Sequence, residues 1–334
     1  MVINSMVEEA KNSKILYREL CANEDLIPLF SKDWWLDYSV GADTWDVALV
    51  FKDGKIIASM PYVIKNRLGL KLSTLPELTQ YLGPWIKPSQ AKYPKILGQQ
   101  KDIMTKLIEQ LPRFDYFSQN WDYKQTNWLP FYWKGFQQTT NYTYVIDDMS
   151  SLDLLWSNFQ ENIRREIKKA ENRNNLKFLD NPTIEDFIEL NRKVYKRKNI
   201  KIPHNEQTFI NLDKACAQRN ARKIFIAVDA DGMHHAGVYI VWDKNSAYYL
   251  MGGSDPELRN SGANSLCMWE AIKFASTVTK EFNFEGSMME PVERFFRAFG
   301  GKQKLVFNVS KTPSLLLRLR SSLLNLSLKR NHLN

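Results

Sequence analysis

The stretch SDPELRNSGANSLCMWEAI (254–272) places an arginine, a glycine and several small polar residues directly before an apolar helical run. Leu266, Trp269 and Ile272 recur at spacings of three, which predicts an amphipathic helix with one buried face. The first amides of a helix have no partner within the helix, and the helix dipole is positive at that end. With Arg259 beside it, this helix entrance is typical of a site for an anion such as a diphosphate.

The segments on either side of this helix read as two strands of one sheet. SAYYLMGG (246–253) runs into the loop, and FNFEGS (282–287) follows the helix. A right-handed crossover places two such strands parallel to each other, although the hairpin before them is antiparallel. One parallel pair in a mostly antiparallel sheet leaves a place where the strands can separate, and a ligand can enter at their carboxyl ends.

The two halves of the chain carry the same order of elements. Residues 45–66 and 223–245 are each a β-rich run, an Asp-Gly turn and a second β-rich run, which predicts two hairpins. Each hairpin is followed by Pro-Glu-Leu, a helical stretch, a short strand and a Phe-x-x-x-Gly segment. We expect a duplicated α+β unit, with domains at 1–148 and 149–334. Two unrelated α+β domains are the alternative.

This order of elements resembles the GNAT acyltransferases, and the tandem arrangement resembles their FemAB-like branch, which includes enzymes that add amino acids to peptidoglycan precursors. RNSGAN (259–264) resembles the GNAT pyrophosphate loop, but Asn264 stands where glycine or alanine is expected. FYWKGF (131–136) resembles the closing segment of a GNAT domain. The resemblance implies an α+β fold of two tandem GNAT-like domains, each a mixed, mostly antiparallel sheet flanked by helices, with a splayed parallel strand pair.

The resemblance places the acyl-donor site in the second domain. The corresponding segment of the first domain, IKPSQAKYPKILGQQ (86–100), has prolines and lysines in place of the glycine-rich loop, and we expect its helix to start near Lys101. The first domain would then shape the acceptor pocket or serve as a packing partner. The residues expected to bind the cofactor, acyl-CoA and most simply acetyl-CoA, are Leu250, Met251, Arg259, Ser261, Gly262, Ala263, Asn264 and Ser265.

Transfer in such a fold is direct attack of an amine on an acyl carbonyl. We expect backbone amides near Tyr249 to Met251 to stabilise the oxyanion and Glu285 to act as the base, directly or through water. The donor to the leaving group is expected to be Tyr249, with Tyr248 as the alternative. Each side chain also has a structural alternative. Glu285 can accept hydrogen bonds as a carboxylate at a strand end, and tyrosines in strands commonly pack.

A basic helix opens the second domain in NIRREIKKAENRNNLKF (162–178). Trp156, Phe159, Ile163, Ile167 and Ala170 mark one packed face of a continuous helix, and cations occupy much of the rest. The basic surface is either solvated or binds phosphates of an acceptor or of tRNA. The residues expected to bind substrate are Arg164, Tyr195, Lys198 and Arg294.

The remaining features exclude several classes of protein. The amino-terminal residues lack the apolar core of a secretory signal, and we expect a cytoplasmic protein with no membrane span. Three widely separated cysteines and an adjacent pair, His234 and His235, give no metal-ligand spacing, so we expect no metal site. The tail, 313–334, is expected to be a helix docked on the second domain, or else a basic amphipathic segment that contacts anionic lipid.

The leading functional hypothesis is an N-acyltransferase that moves an acyl group from acyl-CoA to an amine of a cell-wall or polysaccharide precursor. The formal net charge of +9 suits a polyanionic partner of this kind, and DNA is not expected. Two alternatives stay open. The donor could be aminoacyl-tRNA, or the chain could be a binding module that has kept the fold without turnover. The sequence identifies neither the acceptor nor the oligomeric state.

Overall fold

A computed structural model of the protein describes residues 2–286 and 288–320, with side chains from residue 12 onward. By its internal contacts the chain divides into two compact units. The first comprises the residues up to Thr140 together with those from Val306, and the second is Asn141–Leu305. The domain boundary expected after residue 148 stays a prediction, and the assignment of the carboxyl-terminal residues to the first unit was not foreseen from the sequence.

Among the described residues, the first unit contains four helices before the helical segment 315–320, six complete strands and parts of two more. Its helices are α1 (Val2–Asn23), α2 (Asp33–Val40), α3 (Tyr93–Glu109) and α4 (Leu129–Trp133). Its strands are β1 (Trp45–Lys52), β2 (Lys55–Val63), β3 (Lys65–Arg67), β4 (Leu70–Thr74), β5 (Trp85–Ile86) and β6 (Tyr116–Asn120), with residues 137–140 of β7 (Gln137–Ile146) and the end of the last strand.

The hairpin predicted in the first half is present as β1 and β2. Asp53 and Gly54 both have positive φ, which is the turn geometry that an Asp-Gly pair favours. A parallel pair also forms, with Ser73 of β4 beside Phe117 of β6. After β4 the chain turns back, and β5 pairs with β2. One core of this unit packs Phe117, Trp121, Phe131 and Phe136 beneath α3, and a second packs Tyr17 of α1 against the other face of β1 and β2.

Six α-helices lie in the described part of the second unit, which also contains the candidate site. Its helices are α5 (Leu152–Asn158), α6 (Glu161–Lys168), α7 (Ile184–Lys198), α8 (Glu206–Ala217), α9 (Ala263–Ala275) and α10 (Glu290–Arg297). Its strands are residues 141–146 of β7, then β8 (Lys177–Phe178), β9 (Arg222–Val228), β10 (His234–Trp242), β11 (Ser246–Ser254), β12 (Glu281–Asn283) and the start of β13 (Lys302–Lys311). A π-helical turn (Lys169–Arg173) continues α6.

The sheet of the second unit has the order β7-β12-β11-β10-β9-β8. The predicted hairpin of β9 and β10, the third strand β11 and the parallel pairing of β11 with β12 are all confirmed. Helix α9 crosses over between β11 and β12 and is almost wholly buried, because Leu266, Met268 and Ile272 pack on the sheet. The other strand pairs of this sheet are antiparallel.

Helix α7 approaches the opposite face of the sheet where β11 has two consecutive glycines. A Cβ at Gly253 would lie 2.7 Å from the amide nitrogen of Asn191 and 2.8 Å from the carbonyl carbon of Leu190. The side-chain amide of Asn191 donates a 2.9 Å hydrogen bond to the carbonyl oxygen of Gly252. The absence of side chains in β11 therefore sets how closely α7 packs.

Two predictions about helices were wrong, and a third concerns the tail, most of which lies outside the described residues. Helix α3 begins at Tyr93 and not near Lys101, because Pro94 lies in the first turn, where its missing amide is tolerated. The helix expected to run through Phe159 is broken there, since Phe159 is extended and a new helix, α6, follows. The tail turns helical at 315–320, and residues 321–334 lie outside the described residues. No helix among the described residues combines the length and apolarity that a membrane crossing requires.

We predict that Gly253→Ala lowers the free energy of unfolding by about 1–3 kcal/mol, because the added methyl group must displace the backbone of α7. Gly98→Ala in α3 is the control: its new Cβ meets nothing within 4 Å, so stability should rise by about 0.5–1 kcal/mol. Urea unfolding followed by circular dichroism measures both. Equal stability of Gly253→Ala and the wild type would contradict the close packing of α7 on β11.

Candidate functional site

The site is built where β11 separates from β12. The two strands pair in parallel only from Ser246 beside Glu281 to Tyr248 beside Asn283, and β11 continues to Ser254 after β12 has ended. On its other side β11 has a bulge, because Tyr239 and Ile240 face Met251 and Tyr249, leaving Leu250 without a facing residue. Strand pairing is thus interrupted on both sides of the segment where the sequence predicts an oxyanion site.

Helix α9 starts just beyond the end of β11. Its N-cap, Gly262, has φ +85°, a conformation that favours glycine, and a Cβ there would lie 2.2 Å from the carbonyl oxygen of Glu166. The side-chain amide of Asn174 donates a 2.8 Å hydrogen bond to the carbonyl oxygen of Ser261. These two contacts hold the loop against α6 and the π-helical turn. At the helix entrance the amide of Ala263 donates a 3.4 Å hydrogen bond to the Ser261 hydroxyl, and the amide of Asn264 precedes the first i→i−4 bond.

The basic helix therefore lies directly beside the predicted phosphate loop. An open depression of about 640 Å³ along α6 and the π-helical turn is lined by Asn162, Arg165, Glu166, Lys168, Lys169, Asn172 and Arg173. Glu161 and Glu166 pair with Arg165 and Lys169. Within the described part of the chain, Lys168, Arg173 and the exposed Arg259 form no ion pair. Several of the cations are thus available to an anionic ligand.

An ion pair braces the loop that leads from β11 to Arg259. Lys193 of α7 lies 3.0 Å from a carboxylate oxygen of Asp255, whose other oxygen accepts a 2.9 Å hydrogen bond from the amide of Glu257. Partial burial raises the pKa of Asp255, but these hydrogen bonds outweigh it, and the net pKa is below the ordinary value. No local sequence pattern predicts this ion pair, because its partners are distant in the chain.

Tyr249 lies on the face of β11 that packs against α9 and α10. A Cβ at Gly252 would lie 2.2 Å from the Tyr249 hydroxyl, so the phenol runs along the strand toward its carboxyl end. Its ring packs edge-on against Phe296 at 5.4 Å. Burial raises the pKa of Tyr249 well above its ordinary range, and a negative charge on the nearby Tyr195 would raise it further. Tyr249 is therefore protonated at neutral pH and can donate a proton, and Tyr195, expected to bind substrate, lies near it.

Glu285 follows β12 in a strained turn. Its φ is +59°, and Gly286 follows at +57°. The side-chain oxygen of Asn283 accepts hydrogen bonds from the amide of Glu285, at 2.9 Å, and from the Thr143 hydroxyl, at 2.6 Å. A Cβ at Gly286 would lie 2.0 Å from the carbonyl oxygen of Tyr142, so the turn is pressed onto β7. The structure fixes the backbone of Glu285 beside the end of the splayed pair, and its role as a base stays a prediction.

The other predicted substrate residues have different surroundings. One guanidinium nitrogen of Arg164 donates to the main-chain carbonyls of Trp156, Ser157 and Phe159, which caps the end of α5. Lys198 ends α7 and Arg294 lies on α10. Both side chains are exposed and form no hydrogen bond or ion pair within the described residues. Their contact with substrate stays a prediction.

The described residues contain no group of side chains able to hold a metal ion.

Sequence reasoning missed several residues that shape the site. Asn283, Thr143 and Asn191 are buried polar residues that fix main-chain positions, and nothing in their local sequence distinguishes them from other polar strand or helix residues. The two glycines of YYLMGG (248–253) were a usable signal, since glycine within a strand indicates a bulge or a close backbone approach.

Comparison with known proteins identifies the fold. Residues 157–284 match the sequence profile of a family described as an acetyltransferase (GNAT) domain. No curated protein matches the chain by sequence. Among solved structures, FemX superimposes with a TM-score of 0.60 at 12% identity, over 90% of this chain and 95% of FemX.

Two further structures share the architecture. The C-terminal domain of a putative lysylphosphatidylglycerol synthetase from Agrobacterium fabrum gives a TM-score of 0.53 at 12% identity, over 93% of this chain and 98% of that one. A structure described as L-PGS from Bacillus licheniformis superimposes with a TM-score of 0.50 at 10% identity, over 82% of this chain and 87% of that one. The resemblance seen in the sequence is confirmed as a shared fold, and the matched profile lies in the second unit.

We predict that Asp255→Asn destabilises the protein by about 1–2 kcal/mol at neutral pH, because it removes a charged hydrogen-bond acceptor. The folded pKa of Asp255 is lowered, so its contribution is present above the unfolded pKa of about 3.9 and is lost as the pH falls through the folded value. The stability difference between wild type and variant, measured by urea unfolding from pH 7 to 3, should therefore shrink in acid. Asp231→Asn, in the exposed hairpin loop, is the control. If the stability difference between wild type and Asp255→Asn stays the same from pH 7 to 3, the ion pair of Lys193 and Asp255 does not stabilise the loop.

Proposed function

Since residues 157–284 match an acetyltransferase (GNAT) domain and the chain shares the fold of FemX, we propose that it transfers an acyl group from a phosphate-bearing donor to an amine, with the site in the second unit. The donor we favour is acyl-CoA, in its simplest form acetyl-CoA. The acceptor we favour is an amine of a cell-wall or polysaccharide precursor. The proposal places no metal in the reaction.

One observation carries this proposal: β11 separates from β12 after Tyr248, and the chain then leads through the Arg259 loop into the entrance of α9. A ligand entering between the separated strands meets main-chain groups of β11 on one side and the first amides of α9 at the end of the cleft. Arg259 adds a cation suited to a diphosphate. The residues that would hold the donor are Leu250, Met251, Arg259, Ser261, Gly262, Ala263, Asn264 and Ser265.

The proposed chemistry is a direct attack on the donor. The amine nitrogen bonds to the carbonyl carbon of the thioester, and the oxyanion is stabilised by amides at the bulge around Leu250. Glu285 accepts the proton that the amine loses, directly or through water. As the carbon–sulfur bond breaks, the sulfur leaves as a thiolate, to which the Tyr249 hydroxyl donates a hydrogen bond, and the thiolate takes its proton from solvent. Burial raises the pKa of Tyr249, so the phenol stays protonated and remains a hydrogen-bond donor throughout the reaction.

Aminoacyl-tRNA is the second candidate donor, and the basic helix favours it. The depression lined by Lys168 and Arg173 adjoins the phosphate loop through Gly262 and Asn174, so phosphates beyond the reacting end of a long donor could continue along it. The name lysylphosphatidylglycerol synthetase, given to one structural neighbour, also points to aminoacyl transfer.

If tRNA is the donor, the double variant Lys168→Ala/Arg173→Ala should lower the slope of log affinity for aminoacyl-tRNA against log salt concentration by roughly 1–2, because two phosphate contacts are lost. An unchanged slope would remove the basic helix from the tRNA proposal.

The donor prediction concerns Arg259. Arg259→Ala should weaken acetyl-CoA binding about tenfold or more, because it removes the cation at the helix entrance. Arg219→Ala changes the net charge equally at the end of α8 and serves as the control. Isothermal titration calorimetry measures both. Absence of heat with acetyl-CoA, together with salt-dependent binding of aminoacyl-tRNA, would assign the other donor, and binding of neither would favour a non-catalytic binding module.

The catalytic prediction concerns the turn after β12. Glu285→Gln should lower kcat about a hundredfold through loss of the base and leave donor affinity unchanged. Asn283→Ala should lower kcat while Glu285 is retained, because Asn283 holds the amide of that residue. Rates with a panel of amine acceptors, measured against pH, test both variants. Transfer at the wild-type rate by Glu285→Gln would exclude Glu285 as the base.

A further inference from the structure

Helix α4 in the first unit exposes an apolar face. Pro130 and Phe131 are buried, and the Phe131 ring lies 4.7 Å from that of Trp121. The remaining side chains of this short helix, Leu129, Tyr132 and Trp133, lie on the opposite face and cannot reach the core. Tyr132 is 58% exposed and Trp133 is 59% exposed. A helix face directed away from the core is ordinarily polar, so this one is suited to a partner.

Two neighbouring segments extend this face. A 2.9 Å hydrogen bond from Asn127 to Gln100 joins the start of α4 to α3, whose first turns expose Tyr93 and Leu97. At the other end of α4, the Lys311 ammonium donates to the carbonyl oxygen of Lys134 at 2.6 Å, and the chain then enters the helical residues 315–320. That segment exposes Leu315, Leu316 and Leu319.

Cations without an ion-pair partner lie on both segments that flank this apolar face. Within the described residues, Lys95 and Lys101 of α3 and Lys92 just before it form no ion pair, whereas Glu109 of α3 is paired with Lys134. In the segment 315–320, Arg320 is exposed, and Arg318 donates to the carbonyl oxygens of Thr312 and Pro313. Tryptophan and tyrosine have an apolar body with a polar edge, which suits the boundary between headgroups and acyl chains, and lysine and arginine suit anionic headgroups.

We propose that α4, the first turns of α3 and residues 315–320 form a surface that binds an anionic lipid bilayer. Leu129, Tyr132 and Trp133 enter the interfacial layer, and the surrounding cations contact phosphate headgroups. The cations of this surface attract anionic headgroups, which favours a bilayer as its partner. A second copy of the chain is disfavoured, because two copies would bring the same cations together. The surface lies in the first unit and is independent of the transferase proposal.

Vesicle co-sedimentation with the full chain tests the proposal. The wild type should bind vesicles of phosphatidylcholine with phosphatidylglycerol and bind pure phosphatidylcholine vesicles at least tenfold more weakly, since each basic residue near an anionic surface contributes roughly fivefold. Leu129→Ser/Tyr132→Ser/Trp133→Ser should lower binding to the anionic vesicles about tenfold or more. Phe51→Ser/Leu68→Ser is the control, because both side chains are exposed and apolar and lie outside this surface.

A conservative variant keeps the test valid if the triple variant does not fold. Lipids with brominated acyl chains should quench part of the tryptophan fluorescence of the wild type, and Trp133→Phe should lose that part while binding the vesicles normally. Failure of the wild type to bind anionic vesicles, equal loss of binding in the control, or quenching unaffected by Trp133→Phe would overturn the proposal. A dimer in light scattering that the triple variant dissociates, with no vesicle binding, would assign the surface to a second copy.

Discussion

The arrangement of the second unit depends on one interruption of main-chain hydrogen bonding. The parallel pairing of β11 with β12 ends at Tyr248 and Asn283, and the bulge at Leu250 then breaks the ladder toward β10. Main-chain groups that lack a strand partner need another partner, and a ligand entering the cleft can supply one. The opening is thus part of the sheet topology and does not rely on a flexible loop.

The elements around this opening are positioned by contacts between backbones. Gly262 lets the phosphate loop approach the carbonyl of Glu166, Gly253 lets α7 approach β11, and Gly286 lets the Glu285 turn approach β7. At each position a side chain would collide with main-chain atoms, which cannot move aside as a flexible side chain can. The entrance of α9, the basic helix and the Glu285 turn are therefore held in fixed positions relative to one sheet.

The parts of the fold that the sequence predicted correctly are those set by short-range patterns. Asp53 and Gly54 specify the turn of the first hairpin through their φ angles, and the run of Leu266, Trp269 and Ile272 predicts the helix α9. The prediction that α9 is buried on one face only was wrong, because nearly all of this helix is buried. The start of α3 was predicted wrongly, because Pro94 lies within the first helical turn, where proline is favoured. The break at Phe159 was missed because the apolar spacing continues across it, while the amide of the next residue, Gln160, bonds to the carbonyl of Ala298 far along the chain.

The sequence by itself determined the order of strands and helices, the parallel crossover and the cationic glycine-containing loop before α9, since local dihedral preferences and periodicity encode these features. Only the tertiary structure decided that the basic helix adjoins this loop, that Lys193 braces Asp255, and that Asn283 holds the amide of Glu285. Only the folded first unit, likewise, shows that α4 directs its aromatic side chains outward. These features join residues that are distant in the chain or depend on which face of an element the core covers, and local sequence patterns carry no record of such long-range packing.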